Sequence, residues 1–274
     1  MYLRLLTLLL LTSIYPITTH AEKRTVFTIG IVPQFEIRHI RKIWNPIFKV
    51  IEKKTGYKLK FKGSPTIGDF GKELTAGYFD FAYMNPYQLL LSNKSQGYIP
   101  LIRDTGRQLQ GIIVVKRNSA IHSVKELANK KIAFPSPNAL GASLLIRADL
   151  SNNFKLDFKP VYVKTHSSVY LNVIVAQTDA GGGVQKTLNQ QKENIKGALR
   201  ILHRTPKFAP HPLAAHPRVP VRVREKIAKT LIEIGNSITG KELLSKIPIK
   251  KIGAARINDY SDLKNLGLNQ FYVQ

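Results

Sequence analysis

Four stretches of the chain carry side chains able to hold a small anion. Gln34 follows an apolar run ended by Pro33. Tyr83, Asn85 and Tyr87 share the segment Tyr83-Met84-Asn85-Pro86-Tyr87. Ser136, Asn138 and Ser143 lie within 135–143, and Thr165, His166 and Ser167 within 164–168. Their hydroxyl, amide, phenol and imidazole groups are directed hydrogen-bond donors suited to an oxyanion. The last three stretches also follow predicted strands and open predicted helices. There, unpaired N–H groups and the positive dipole end favour an anion by roughly 0.3–1 kcal/mol each. Gln34-Phe35 is placed to close the same site. Any one of these loops taken alone reads first as ordinary helix capping; the repetition after four strands is what points to binding. Asp179 is either an acceptor for a protonated ligand oxygen or a helix cap. Gly181-Gly182-Gly183 either lets the backbone approach a ligand or turns the chain into a helix over 184–191.

Catalysis would need more. A hydrolase requires a nucleophile with its base, or paired carboxylates, yet Asp69, Asp80 and Asp179 fall in separate predicted elements. The chain has no cysteine, which excludes a disulfide framework, a thiolate nucleophile and a thiolate metal site. His203, His211 and His216 lie in or beside a proline-rich stretch, not on one helical face, and no acidic cluster accompanies them. They read as structural or solvent-exposed histidines, not zinc ligands. No catalytic residue, metal or cofactor is expected.

These loops must be held by a repeating α/β framework. Val26–Val32 reads as a strand. The spacing of Ile37, Ile40, Ile43, Trp44, Ile47, Phe48 and Ile51 predicts a helix over 37–55, stopped by Gly56. A strand at 57–61, a helix at 67–76, strands at 79–82, 98–103 and 111–116, and a helix opened by Asn85-Pro86 complete a first unit. A second begins near Asn118 with the capping pattern Ser123-Val124-Lys125-Glu126. It continues with strands at 131–134, 161–163 and 199–204 and helices at 139–150 and 167–177. A Pro- and His-rich stretch over 205–220 precedes an amphipathic helix over 221–239 and a tail of short helix. The β-α-β rhythm argues for two α/β lobes with mostly parallel sheets. They would be joined by two crossings, near 110–118 and 204–212, with a ligand cleft at the carboxyl ends of the strands and closure by hinge motion. The expected divisions are 22–115 for the first part of lobe 1, 116–206 for lobe 2, and 207–274 returning to lobe 1.

Residues 1–21 stand outside that framework. Arg4, the apolar run Leu5–Leu11, and Thr19 and Ala21 at the minus-three and minus-one positions make a secretory signal peptide. Cleavage would leave a soluble exported chain from Glu22. Without cysteine there is no lipid anchor. A balance of 43% hydrophobic and 22% charged residues is that of a folded protein. The net charge of +25 suggests anionic partners. The cations are nevertheless spread along the chain and interleaved with apolar residues, as in Lys58–Lys62. No basic arm, zinc finger or basic helix appears, so nucleic acid is not an expected partner.

Four runs carry a resemblance: residues 71–90 (GKELTAGYFDFAYMNPYQLL), 111–150, 162–188 and 204–220 (RTPKFAPHPLAAHPRVP). In order and spacing the chain resembles the phosphate/phosphite/phosphonate-binding proteins of ABC importers. The resemblance implies a type 2 periplasmic binding fold, a periplasmic location and a phosphorus oxyanion as ligand. It further implies no catalysis and a monomer that serves an inner-membrane permease or, alternatively, a membrane sensor protein. It also implies that Tyr83, the loop from Ser136 to Ser143, and His166-Ser167 line the site. One departure is plain. Where the family carries a Ser-Thr-Ser type run, this chain has Ala139-Leu140-Gly141, which keeps backbone N–H groups and loses the hydroxyls.

Overall fold

A computed structural model describes residues 25–247 and 249–273; the signal-peptide expectation for 1–21 lies outside them. The first lobe is built on a six-stranded sheet. Its strands are β1 (Val26–Ile31), β2 (Lys58–Lys62), β3 (Phe81–Tyr83), β4 (Ile99–Asp104), β10 (Pro212–Ala215) and β11 (Ile252–Ala254), in the order β11-β4-β10-β3-β1-β2. The second carries β5 (Gly111–Lys116), β6 (Lys131–Phe134), β7 (Lys159–Tyr162), β8 (Ala180–Val184) and β9 (Leu199–Arg204), in the order β7-β6-β8-β5-β9. β1 pairs parallel with β2 and β3, and β6 pairs parallel with β7 and β8. Their carboxyl ends open toward the space between the lobes. β10 pairs antiparallel with β3 and β4, β11 with β4, and β5 with β8 and β9, so both sheets are mixed and not mostly parallel as the rhythm of the sequence suggests.

Helices cover both sheets. α1 (Ile37–Thr55) buries Ile40, Ile43, Trp44, Ile47, Phe48 and Ile51, the stripe read from the sequence. Gly56 ends it at φ +76°, a left-handed conformation that suits glycine. α2 (Ile67–Thr75) and α3 (Pro86–Gln96) complete this part of lobe 1, and α3 begins with a full capping box between Asn85 and Gln88. Lobe 2 adds α4 (Leu145–Asn152), α5 (His166–Ile174), α6 (Gln185–Asn189) and α7 (Glu193–Gly197). α8 (Val221–Asn236) and α9 (Ile238–Ser245) pack back on lobe 1. No helix among the described residues is long and apolar enough to cross a membrane.

Three further features differ from the sequence reading. First, β5 belongs to the second sheet, between β8 and β9, so the first crossing is 105–110 and lobe 1 ends before residue 115. The pattern of β5 explains this: Gly111–Val115 are buried without interruption, as in a strand covered on both faces. β4, by contrast, alternates. The second crossing is 205–211, and the two run together as a bridge between Leu109 and Phe208, with N–H···O distances of 2.8 and 2.9 Å. Second, the Pro- and His-rich stretch contains β10, wedged antiparallel between β3 and β4. Third, Gly181-Gly182-Gly183 is neither a turn nor a ligand loop. It is the middle of β8, fully buried.

The glycines of β8 are there for packing. A Cβ on Gly182 would run into the carbonyl of Ala142 and the Phe134 ring, and one on Gly181 into Val169. The helices of lobe 2 therefore sit directly on this strand. Gly182→Ala is expected to cost about 1–3 kcal/mol through overpacking. Urea unfolding checks this, and a midpoint unchanged from the parent would refute the close-packing account.

Candidate functional site

The cleft between the lobes has a volume of ≈ 1140 Å³. Lobe 1 contributes residues 33–37 at the end of β1, His39, and residues 65–69 and Lys72 around the start of α2. Lobe 2 contributes 135–138 after β6, Tyr162 and 164–167 after β7, and Thr187, Gln190 and Gln191 from α6 and just past it. Three helices, α1, α2 and α5, begin on this cleft. Thr66 caps α2 by accepting from the Asp69 N–H at 3.1 Å, and Thr165 caps α5 by accepting from the Ser168 N–H at 3.1 Å. The charges are balanced. Lys72 and Lys164 are matched in number by Glu36 and Asp69 along its lining, so the large positive charge of the whole chain is not concentrated in the cleft.

Six of the eleven residues singled out in the sequence line this cleft: Gln34, Ser136, Asn138, Thr165, His166 and Ser167. Gln34 donates from Nε2 to Nε2 of His211 at 3.0 Å. His211 is 8% exposed, and burial pulls its pKa down to about 4; it is the neutral acceptor this bond requires. His166 Nδ1 lies 3.3 Å from Thr187 Oγ1, and burial likewise lowers its pKa to about 4. A neutral imidazole offers an oxyanion one N–H but no full charge. Ser136 Oγ accepts from the Asn138 N–H at 3.4 Å.

The other five are elsewhere. Tyr83 is 2% exposed beneath the wall, stacked on His211 at 5.7 Å and packed on Trp44 at 5.0 Å. It supports the residue that holds Gln34. Asn85 caps α3, accepting from the Gln88 N–H at 2.9 Å, and reaches across the lobes to the Asn138 carbonyl at 3.4 Å. Tyr87 joins an apolar cluster with Leu140 and Leu144. Ser143 is fully buried, its hydroxyl taken by Arg147 Nε at 3.1 Å. Asp179 sits at the opposite end of β8 and accepts from the Lys131 N–H at 2.8 Å, tying β6 to β8.

The segment at the family's hydroxyl run is also resolved. The helix expected over 139–150 opens as a π turn, Leu140–Leu144, before α4. Ala139, Leu140 and Gly141 are buried, and a Cβ at Gly141 would meet Val184 and Leu109. The sequence reading missed the contribution of α2, above all Thr66 and Gly68. The signal was present: the loop after β2, like that after β1, follows a parallel strand and must open on the same edge. The histidines passed over as ligands have structural partners. His203 bonds Asp149 at 2.6 Å, and His216 packs edge-on against Tyr98.

Two α/β lobes, two hydrogen-bonded crossings and a cleft lined by helix N-termini define a bilobal solute receptor of the type 2 periplasmic binding fold. More particularly, the chain belongs to the family described as ABC transporter, phosphonate, periplasmic substrate-binding protein, whose profile matches residues 29–260. It is 21% identical over 231 residues to the phosphate-import protein PhnD of Mycolicibacterium smegmatis, covering 76% of this chain and 72% of that one. Its fold matches a binding-protein component of a Pseudomonas aeruginosa ABC phosphonate transporter with TM-score 0.79 at 15% identity, over 89% of this chain and 85% of that one. It also matches PhnD1 of Prochlorococcus marinus in complex with methylphosphonate, with TM-score 0.78 at 17% identity, over 90% and 98% of the two chains. The family consists of substrate-binding components of transporters, not enzymes.

Proposed function

We propose that the protein captures a small phosphorus oxyanion in the interlobe cleft, closes on it about the hinge at 105–110 and 205–211, and delivers it as a monomer to an inner-membrane permease. Export through a cleaved signal peptide, without a lipid anchor, belongs to the same proposal. The observation that carries it is the convergence on one cleft of the N-termini of α1, α2 and α5 with the neutral donors Gln34, Ser136, Thr165, His166 and Ser167. Such donors solvate an anion without adding compensating charge. The family match and the phosphate- and methylphosphonate-binding relatives point to the same ligand class. Ala139-Leu140-Gly141 offers no hydroxyl, so selection among phosphorus oxyanions falls to the remaining donors.

Thermal shift followed by calorimetric titration tests this, using phosphate, phosphite, methylphosphonate and sulfate. At a hundred times its dissociation constant a ligand stabilises the fold by about 2.7 kcal/mol. One phosphorus oxyanion is expected to do so and sulfate is not. Ser136→Ala and Ser167→Ala should each weaken binding roughly tenfold, the cost of a hydrogen bond to a charged group. No stabilisation by any phosphorus oxyanion would overturn the ligand class.

A further inference from the structure

We infer that residues 257–273 form a strap that ties the two lobes together and favours the closed form of the hinge. The segment leaves lobe 1 at β11, runs through two 3-10 turns, Ile257–Leu266 and Leu268–Gln270, and then crosses to lobe 2. Leu263 and Leu268 are buried between Tyr87 of lobe 1 and Leu140 and Leu144 of lobe 2. Asn152 of α4 donates to the Leu266 carbonyl at 3.0 Å.

The grip tightens at the end of the strap. Arg147 Nη2 donates to the Phe271 carbonyl at 2.8 Å, and its guanidinium lies over the Phe271 ring at 5.5 Å. The same guanidinium is fixed by Ser143 Oγ and by the Pro137 carbonyl at 2.5 Å. Asn138 then pairs with Val273 as a peptide unit would. Its Nδ2 donates to the Val273 carbonyl at 2.6 Å, and its Oδ1 accepts from the Val273 N–H at 2.9 Å. Asn138 is 2% exposed, and both ends of its amide are committed to the strap. That accounts for a residue whose type alone marks it as a ligand donor.

Between these two holds, Tyr272 turns back to lobe 1. Its ring meets Tyr87 edge-on at 5.5 Å, and its hydroxyl fills a notch over α2 that exists because residue 71 is glycine. A Cβ there would come within 2.6 Å of the hydroxyl oxygen. Phe271 and Val273 therefore belong to lobe 2 and Tyr272 to lobe 1. Opening the hinge must break one set of contacts or the other. The strap therefore shifts the open–closed balance toward the closed form, and a ligand in the cleft adds to the same shift.

Interlobe energy transfer measures this directly, and the absence of cysteine makes specific labelling simple. A Lys49→Cys, Lys125→Cys pair places one exposed dye on α1 and one on lobe 2. In buffer alone, the parent should show a clear short-distance population. Tyr272→Ala removes the strap's return contact with Tyr87 and α2 of lobe 1, and Asn138→Ala removes one of its holds on lobe 2. Each should lower the closed-to-open ratio about tenfold, the loss of one to two hydrogen bonds or an aromatic contact. A residue acting only on the cleft would not produce the same opening from both sides. A ligand-free parent already as open as the variants, or two variants as closed as the parent, overturns the strap. Neither result depends on which anion the cleft takes.

Discussion

Asp80→Ala is expected to destabilise the protein by about 3–5 kcal/mol, the cost of removing one partner from a buried charged network. Asp80 is 1% exposed. One of its oxygens accepts from the Thr28 N–H at 2.8 Å and the Thr28 hydroxyl at 2.9 Å. The other accepts from Arg218 Nε at 2.7 Å. Arg218 in turn donates to the Gly77 carbonyl at 2.6 Å. The carboxylate thus joins the starts of β1 and β3 to the segment after β10. At roughly 2–4 °C per kcal/mol for a chain of this size, calorimetry should find a melting temperature lower by about 10 °C. Arg218→Ala should also destabilise, because it leaves the buried Asp80 carboxylate without that cation. Asp80 lies just before β3, whereas the cleft opens at the opposite, carboxyl end of the sheet. The surviving folded Asp80 variant should therefore bind ligand as the parent does. A loss under 1 kcal/mol would show that Thr28 and Arg218 hold without the carboxylate.

What was legible in the sequence and what was not divide along physical lines. The stripe on α1, the caps at Asn85 and Thr165, and the strand-loop-helix order are local patterns, and they lead to six residues that line the cleft. β10 was hidden because Pro212-Leu213-Ala214-Ala215 is short and lies among prolines; only its pairing with β3 and β4 makes it a strand. β5 was assigned to the wrong lobe because sequence order cannot say which sheet a fully apolar strand enters. Tyr83, Asn85, Tyr87, Ser143 and Asp179 share one cause. A polar side chain beside a binding loop has a local reading as a donor, whereas a partner lies far along the chain: His211 for Tyr83, Tyr272 for Tyr87, Lys131 for Asp179, and Asn138 for Asn85 in addition to its local cap on Gln88. Even Ser143, whose partner Arg147 is one helical turn away, depends on a guanidinium drawn inward by Phe271. The same limit hid the role of His211, which stands 177 residues from the Gln34 it fixes.

His211 should make the protein's stability depend on pH in a direction that can be checked by sign. Its pKa is about 4 in the folded chain, against about 6.5 when unfolded. Between those values the unfolded state binds the proton and the native state does not. Stability therefore rises with pH there, and is lost as pH falls from 6.5 toward 4. The loss from this one group reaches about 3 kcal/mol at pH 4. His211→Phe keeps a flat ring on Tyr83 and removes both the titration and the acceptor for Gln34. At pH 7 the variant should be less stable than the parent by about 1 kcal/mol, the worth of that hydrogen bond. Below about pH 6 the order should reverse, because the parent is then losing stability that the variant never had. His166, also held near 4, remains in both chains, so the difference between their urea midpoints isolates His211. A difference that stays constant from pH 7 to pH 4 would mean that His211 takes up its proton without leaving Gln34, and that the wall beneath the cleft is wetter than its burial implies.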